Sequence, residues 1–224
     1  MADLGPWGHL HKLSDNIDLT KYTPKERKVI TNDEWQQLQR TFENAVSSYP
    51  DIGLRIPTMQ NYGIGWNPEG GYWTWPIYNA SGEICGMSTR YRDGFKACVS
   101  GTTAGVFLPR KKPTRRVWAV AEGATDSATV YELGVSCLGK FNWETPHDIV
   151  SDIINNRIKP DVVIIVADND AHGVGLQGAV RLKPRIKCRC EIMTMPDGIK
   201  DIRQFYRGGL TREKFKEAIE RLLK

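Results

Sequence analysis

Apolar and polar residues recur along this chain with distinct periods, and each period predicts an element. From residue 32 onward Trp35, Leu38, Phe42, Ala45, Val46 and Tyr49 fall at helical spacing, which predicts one amphipathic helix ending before Pro50. Asn32 suits its N-cap, with Asp33 and Glu34 in the first turn, where the helix dipole favours acids. Two strand-like runs follow, Gly71 to Tyr78 and Glu83 to Tyr91, joined by Asn79-Ala-Ser-Gly82, and they predict a β-hairpin. Trp73, Trp75 and Ile77 share one face of its first strand; Tyr72, Thr74 and Tyr78 share the other. One face would pack, leaving the other partly open for stacking on bases, although aromatics that simply fill a small two-layer domain would give the same pattern.

Beyond residue 117 the period changes. Continuous apolar runs, Val117 to Ala121, Val162 to Val166 and Cys190 to Met195, alternate with helical patterns and read as buried parallel strands of β-α-β units. Thr125 to Leu133 reads as a helix stopped by Gly134, and Val135 to Leu138 as another strand. Thr145-Pro146 opens a helix carrying Ile149, Ile153, Ile154 and Ile158 toward the sheet. Gly173 and Gly175 ease the turn into a helix from about Val174 to Leu182. Lys187 to Met195 forms the last strand, and Leu210 to Lys224 is an amphipathic helix. The expected fold class is α/β: a mostly parallel sheet flanked by helices (residues 113–224), preceded by a smaller α+β subdomain with the hairpin (31–112) and a leader or linker (1–30). The basic stretch Arg110-Lys-Lys-Pro-Thr-Arg-Arg116 marks the junction.

The apolar runs end in carboxylates. Parallel strands place their carboxyl ends on one edge, so Glu122, Asp126, Asp168, Asp170, Asp197 and Asp201 are expected to converge where open α/β sheets hold ligands. Converging acids repel one another unless cations lie among them, and oxygen-only ligands suit Mg²⁺ or Mn²⁺, in two or more sites. Asp168-Asn169-Asp170 is not a calcium loop of the EF-hand kind, because His172 and Ala179 stand where its third and last ligands belong. No Gly-x-x-x-x-Gly-Lys-Ser/Thr loop occurs, so the chain encodes no ATP-driven motor of that type.

Composition narrows the setting. The 224 residues are 40% hydrophobic with a net charge of +5, enough for a substantial core and mildly favourable to a polyanionic partner. Gathering the acids at one edge leaves other surfaces more basic than the total implies. Five scattered cysteines, with no CxxC pair, indicate reduced thiols in a cytoplasm-like compartment, and zinc is not expected. No apolar run approaches the length of a membrane span, and no signal peptide is recognisable, so a membrane association is not expected.

The motifs Glu122-Gly-x-x-Asp126, Asp168-x-Asp170 and Met195-Pro-Asp197-Gly-Ile-Lys-Asp201 resemble those of a Toprim domain over residues 117 to about 209. Within that group the sequence is most similar to the catalytic core of bacterial-type (DnaG-type) primases or phage primases and helicase-primases. Trp75 to Arg90 resembles the hairpin of that core, and Lys96 stands where the family keeps a lysine. The resemblance covers roughly residues 50 to 210. One departure is Ile199, which lengthens the usual Pro-Asp-Gly-Lys-Asp run by a residue; another is the lack of a cysteine and histidine set for a zinc-binding domain.

The resemblance implies a nucleotidyltransferase that makes short RNA primers on single-stranded DNA. Glu122, Asp168 and Asp170 would be catalytic and, with Asp126, Asp197 and Asp201, metal-binding. Arg90, Lys96 and Lys200 would grip template or nucleoside triphosphate, and Arg110, Lys111 and Lys112 would contact phosphates. Expected partners are the DNA template, nucleoside triphosphates, and a replicative helicase or a separate zinc-binding domain. A Toprim nuclease, in which water attacks the phosphodiester, and a noncatalytic DNA-binding replication module are the alternatives.

Overall fold

The computed structural model describes residues 30–44, 52–111, 114, 116–141 and 147–224. Residues 1–29 of the expected leader (1–30), Lys112, Thr145-Pro146 and the apolar positions Ala45, Val46 and Tyr49 lie outside them.

A mixed sheet runs through the whole structure. Its antiparallel half contains β1 (Gly65–Asn67), β2 (Tyr72–Tyr78), β3 (Ile84–Tyr91), β4 (Lys96–Cys98) and β5 (Val106–Phe107). Its parallel half contains β6 (Val117–Glu122), β7 (Ser136–Lys140), β8 (Val162–Ala167) and β9 (Arg189–Thr194). The order is β4-β3-β2-β5-β7-β6-β8-β9, with β1 on β2. The short strand β5 joins the halves: Val106 pairs with Tyr78 of β2 on one side and with Lys140 of β7 on the other, antiparallel to both. The sheet is therefore continuous across the basic junction.

Helix α1 (Asn32–Asn44) covers one face of the antiparallel half through Trp35, which packs with Ile84 and Met87. Its N-cap is Thr31 rather than Asn32. The Thr31 hydroxyl accepts from the Glu34 N–H while the Glu34 carboxylate accepts from the Thr31 N–H, a reciprocal capping box. Asn32 is thereby released to accept from the Ile84 N–H at 2.8 Å, stitching helix to hairpin. The other face of the hairpin packs through Trp73, Trp75 and Ile77 against Tyr62, Phe107 and Ala128. All five central residues of β2, Trp73 through Ile77, are buried, so neither face of the strand's middle is open. Only Tyr72 and Tyr78, at its ends, are partly exposed. Tyr62, just beyond α2 (Ile56–Asn61), donates to the carbonyls of Ser127 and Cys137 and ties this half to the next.

The central strands β6 and β8 of the parallel half are buried on both faces, which is why they read as continuous apolar runs, while β9 at the edge is only partly covered. Val163, Ile165 and Ala167 of β8 face α4 (His147–Asp152) and α5 (Val174–Leu182). Ile164 and Val166 face α3 (Ala124–Glu132), α6 (Ile202–Arg207) and α7 (Arg212–Leu222). α4 widens into a π-helical turn, Ile153–Ile158, whose first two residues are both fully buried. The observed β7 starts one residue later and ends two residues later than the apolar run alone predicts, and α6, only six residues long, carries too little periodicity to be read in advance. Among the described residues no helix is long and apolar enough to cross a membrane.

Candidate active site

Glu122 ends β6, and the next residue turns the chain into α3. Gly123 takes φ +83°, a conformation that costs a side-chain-bearing residue energy, and its N–H donates to the Lys140 carbonyl at 2.8 Å. The Glu-Gly pair thus sets a tight turn that leaves Glu122 at the strand end and brings Asp126, one turn into α3, beside it. A similar constraint acts after β8: a Cβ on Gly175 would lie 2.7 Å from the Asp168 carbonyl oxygen, so α5 approaches Asp168 only because residue 175 has no side chain. The loop after β9 is tied to the loop after β8 by the Asn169 N–H, which donates to the Lys200 carbonyl at 2.7 Å. Asp201 caps α6 by accepting from the Gln204 N–H.

These turns open onto one cleft of about 700 Å³ between the two halves of the sheet. The parallel half lines it with Glu122, Asp126, Asp168, Asp170, Lys200 and Asp201; the antiparallel half lines it with Trp75, Arg90 and Lys96. Arg90 and Lys96 are cross-strand neighbours on β3 and β4, which places both cations on the same wall. The extra residue Ile199 does not keep Asp201 from the cleft. Asp197, in contrast, is exposed and outside the cleft lining. Arg110 is occupied by Glu43 through both guanidinium Nη atoms, and the Lys111 backbone is bonded to Asn61; neither lines the cleft.

The electrostatics of the acids differ according to their surroundings. Burial, reinforced by Asp126, Glu122 and Asp201, pushes Asp168 up to about 8, against the opposing pull of Lys140. Burial and Asp201 raise Asp126 to about 6. Asp170 is held below the usual carboxylate range because it accepts the Gly175, Val174 and His172 N–H groups at the start of α5. Both shifts come first from burial and only then from neighbouring carboxylates, so each acid is held where ionisation is costly without a cation. The donor set, all carboxylate oxygen, fits a hard divalent cation. The carboxylates are spread along the edge: among the described residues no three His, Cys, Asp or Glu groups stand close enough to surround one ion. That spacing suits Mg²⁺, which is held by one or two carboxylates while water and substrate phosphates complete its shell.

Two sets of residues escaped the sequence reading. Lys140, buried at the end of β7 in register with Glu122, places its Nζ 3.6 Å from the Glu122 carboxylate and is the internal cation of the site. Reading β7 two residues further would have carried this lysine to the acidic edge. Arg203 and Arg207, one turn apart on α6, belong to the electrostatic surroundings of Arg90, Asp126 and Asp201. Their i,i+4 spacing was visible, but only the docking of α6 against α3 directs them there.

No protein-family model matches the chain, and no curated protein matches it by sequence. Solved structures do match. The chain is similar to the DnaG primase catalytic domain bound to single-stranded DNA, at 15% identity over 85% of this chain and 80% of that one, with a TM-score of 0.65. The E. coli primase catalytic core gives 15% identity, coverage of 84% and 79%, and a TM-score of 0.63. The primase fragment of the bacteriophage T7 primase-helicase gives 15% identity, coverage of 77% and 72%, and a TM-score of 0.54. With a helix-flanked sheet whose parallel half carries the acidic strand ends, the chain has the fold of a DnaG-type primase catalytic core.

Proposed function

We propose that the protein is a DNA primase catalytic core, a nucleotidyltransferase that synthesises short RNA primers on single-stranded DNA in the cytoplasm. The observation that carries this reading is the meeting of five carboxylates with Arg90, Lys96 and Lys200 in one cleft. Nucleotidyl transfer needs both charges side by side, cations for polyphosphate or template and acids for the metal ions that polyphosphate brings.

In this reading Glu122, Asp126, Asp168, Asp170 and Asp201 hold Mg²⁺ or Mn²⁺, which when bound supplies Lewis acidity toward a primer hydroxyl and the transferred phosphate. Glu122 is partly exposed at the cleft and oriented by Lys140, which suits it to accept the proton of the attacking 3′-hydroxyl. The spread of the acids leaves room for substrate oxygens between them. Arg90 and Lys96 hold template or triphosphate against the opposite wall, with Trp75 beneath them, and Lys200 closes the acidic side. A DnaG primase catalytic domain of similar fold binds single-stranded DNA, which supports a DNA template as the partner of this fold. A replicative helicase or separate zinc-binding domain remains the expected partner of such a core.

The test is to incubate the purified chain with single-stranded DNA, labelled ribonucleotides and Mg²⁺ or Mn²⁺, alongside Glu122→Gln. Short template-dependent RNA, absent from the variant, is the expected product. Shortened template without new RNA would replace this reading with the nuclease one.

A further inference from the structure

Lys140 stands apart from the other cations of the site. Arg90, Lys96 and Lys200 line the cleft, where a ligand can meet them, whereas Lys140 is buried behind Glu122 and outside the cleft lining. It ends β7 in register with Glu122 at the end of β6, and its Nζ lies 3.6 Å from Glu122 Oε2. α5 closes over it: a Cβ on Gly178 would sit 3.5 Å from that Nζ, so the helix packs close above the ammonium with no side chain of residue 178 between them. The same helix rests on Asp168 one turn earlier, through Gly175. The Lys140 carbonyl meanwhile accepts the Gly123 N–H, so backbone and side chain of one residue hold both parts of the Glu122-Gly123 turn.

An ammonium enclosed in this way cannot swing aside when a ligand arrives, and with water excluded its field is little screened by salt. Counting Lys140, four cations stand against the five carboxylates Glu122, Asp126, Asp168, Asp170 and Asp201, so the cleft by itself has little net charge with which to hold a divalent ion. An ion approaching the Glu122 end also meets a positive charge already in place. A nucleoside triphosphate changes that balance, because its several negative charges join the acids around the same ion. From this geometry we infer that Lys140 is a resident counter-cation: it keeps the cleft from binding a divalent ion tightly on its own, so that Mg²⁺ or Mn²⁺ is retained only together with the nucleotide. This rests on the nucleotidyl-transfer reading for the use of the metal, and it adds a residue that governs when the metal is held. A lysine that merely filled a strand end and supported Glu122 predicts the opposite sign, since removing it would loosen the acids and weaken whatever they bind.

Mn²⁺ serves as the probe, titrated into the full chain without nucleotide and followed by the loss of its free-ion EPR signal. The proteins are the parent, Lys140→Met, Lys140→Gln and a Lys140→Gln/Glu122→Gln pair, each with a thermal melt. The parent should bind weakly, with Kd above about 0.1 mM, as a loosely built carboxylate site does. Each Lys140 variant should bind about tenfold tighter or more, a gain that loss of structure does not produce. The paired variant should return to within about threefold of the parent, because it loses the charge and its neighbour together. Folded Lys140 variants that hold Mn²⁺ no tighter than the parent would overturn the proposal. Tight binding that survives in the paired variant would show that the charge acts elsewhere than beside Glu122, and overturns it as well. If both Lys140 variants unfold, the parent decides: Kd below about 0.1 mM without nucleotide overturns the proposal, and a weaker Kd supports it. Because metal binding is read apart from synthesis, unchanged Mn²⁺ affinity in the variants alongside normal primer formation by the parent would sink this inference alone. Tightened Mn²⁺ binding in the variants of a chain that makes no primer would instead count against the primase reading and leave the role of Lys140 in place.

Discussion

The two halves of the sheet solve opposite problems with the same backbone. In the parallel half β6 and β8 are sandwiched between helices, so side chains within them are apolar and the polar chemistry is expelled to the strand ends, where Glu122, Asp168 and the loop to Asp201 gather. In the antiparallel half the polar chemistry lies within the strands themselves: Arg90 and Lys96 are ladder partners, and Trp75, two strands in, belongs to both the core and the cleft. A parallel sheet offers an edge, an antiparallel one offers a face. The cleft forms where edge meets face, across the two-residue strand β5.

That contrast can be broken most severely at Trp75. Trp75→Ala should cost about 3–5 kcal/mol, measured by denaturant unfolding, because it empties the core of the antiparallel half as well as the cleft floor. Glu122→Gln or Asp168→Asn should instead leave the fold intact and lower primer synthesis about a hundredfold or more, read in the product assay. Full activity in either variant would remove the edge from the chemistry. Between these, Gly123→Ala should destabilise by about 1–2 kcal/mol, since the positive φ at this turn is strained for any residue with a Cβ.

Smaller effects separate the charges of the two walls. Asp168 is raised in the folded chain above its ordinary 3.8 to about 8, so between these values the folded state holds more protons than the unfolded one. Without divalent cations, stability should therefore fall as pH rises through that window, most of the slope should vanish in Asp168→Asn, and added Mg²⁺ should restore stability at the alkaline end. Lys96→Ala, on the opposite wall, should reduce the salt dependence of single-strand binding by about 0.7 in log–log slope if Lys96 meets one phosphate. An unchanged slope would take Lys96 off the template path.

Legibility followed burial and period. The span of β8, Val162–Ala167, was readable to within a residue because continuous apolar runs bounded by Asp168 and Lys159-Pro160 leave no other choice. The same held for α5, whose Gly173 and Gly175 mark its entry. α6 was not readable: its six residues, Ile-Arg-Gln-Phe-Tyr-Arg, are too few to show a period and are held by docking on α3 rather than by propensity. The hairpin was legible as a hairpin, but its burial was not, because only the arrival of α1 on one face and Tyr62 on the other closes both sides of β2.

Most elements, though not α6, and the fact that acids follow strands were written in the sequence, because hydrophobic period and turn chemistry are local and act on neighbours along the chain. Tertiary structure alone decided which of those charges meet. It turned Asp197 out to solvent and Arg110 toward Glu43, set buried Lys140 against Glu122, and put Arg203 on the Ile52 carbonyl. The physical reason is that a charge's role depends on distance to other charges and on exclusion of water, and both are fixed only when separate elements pack.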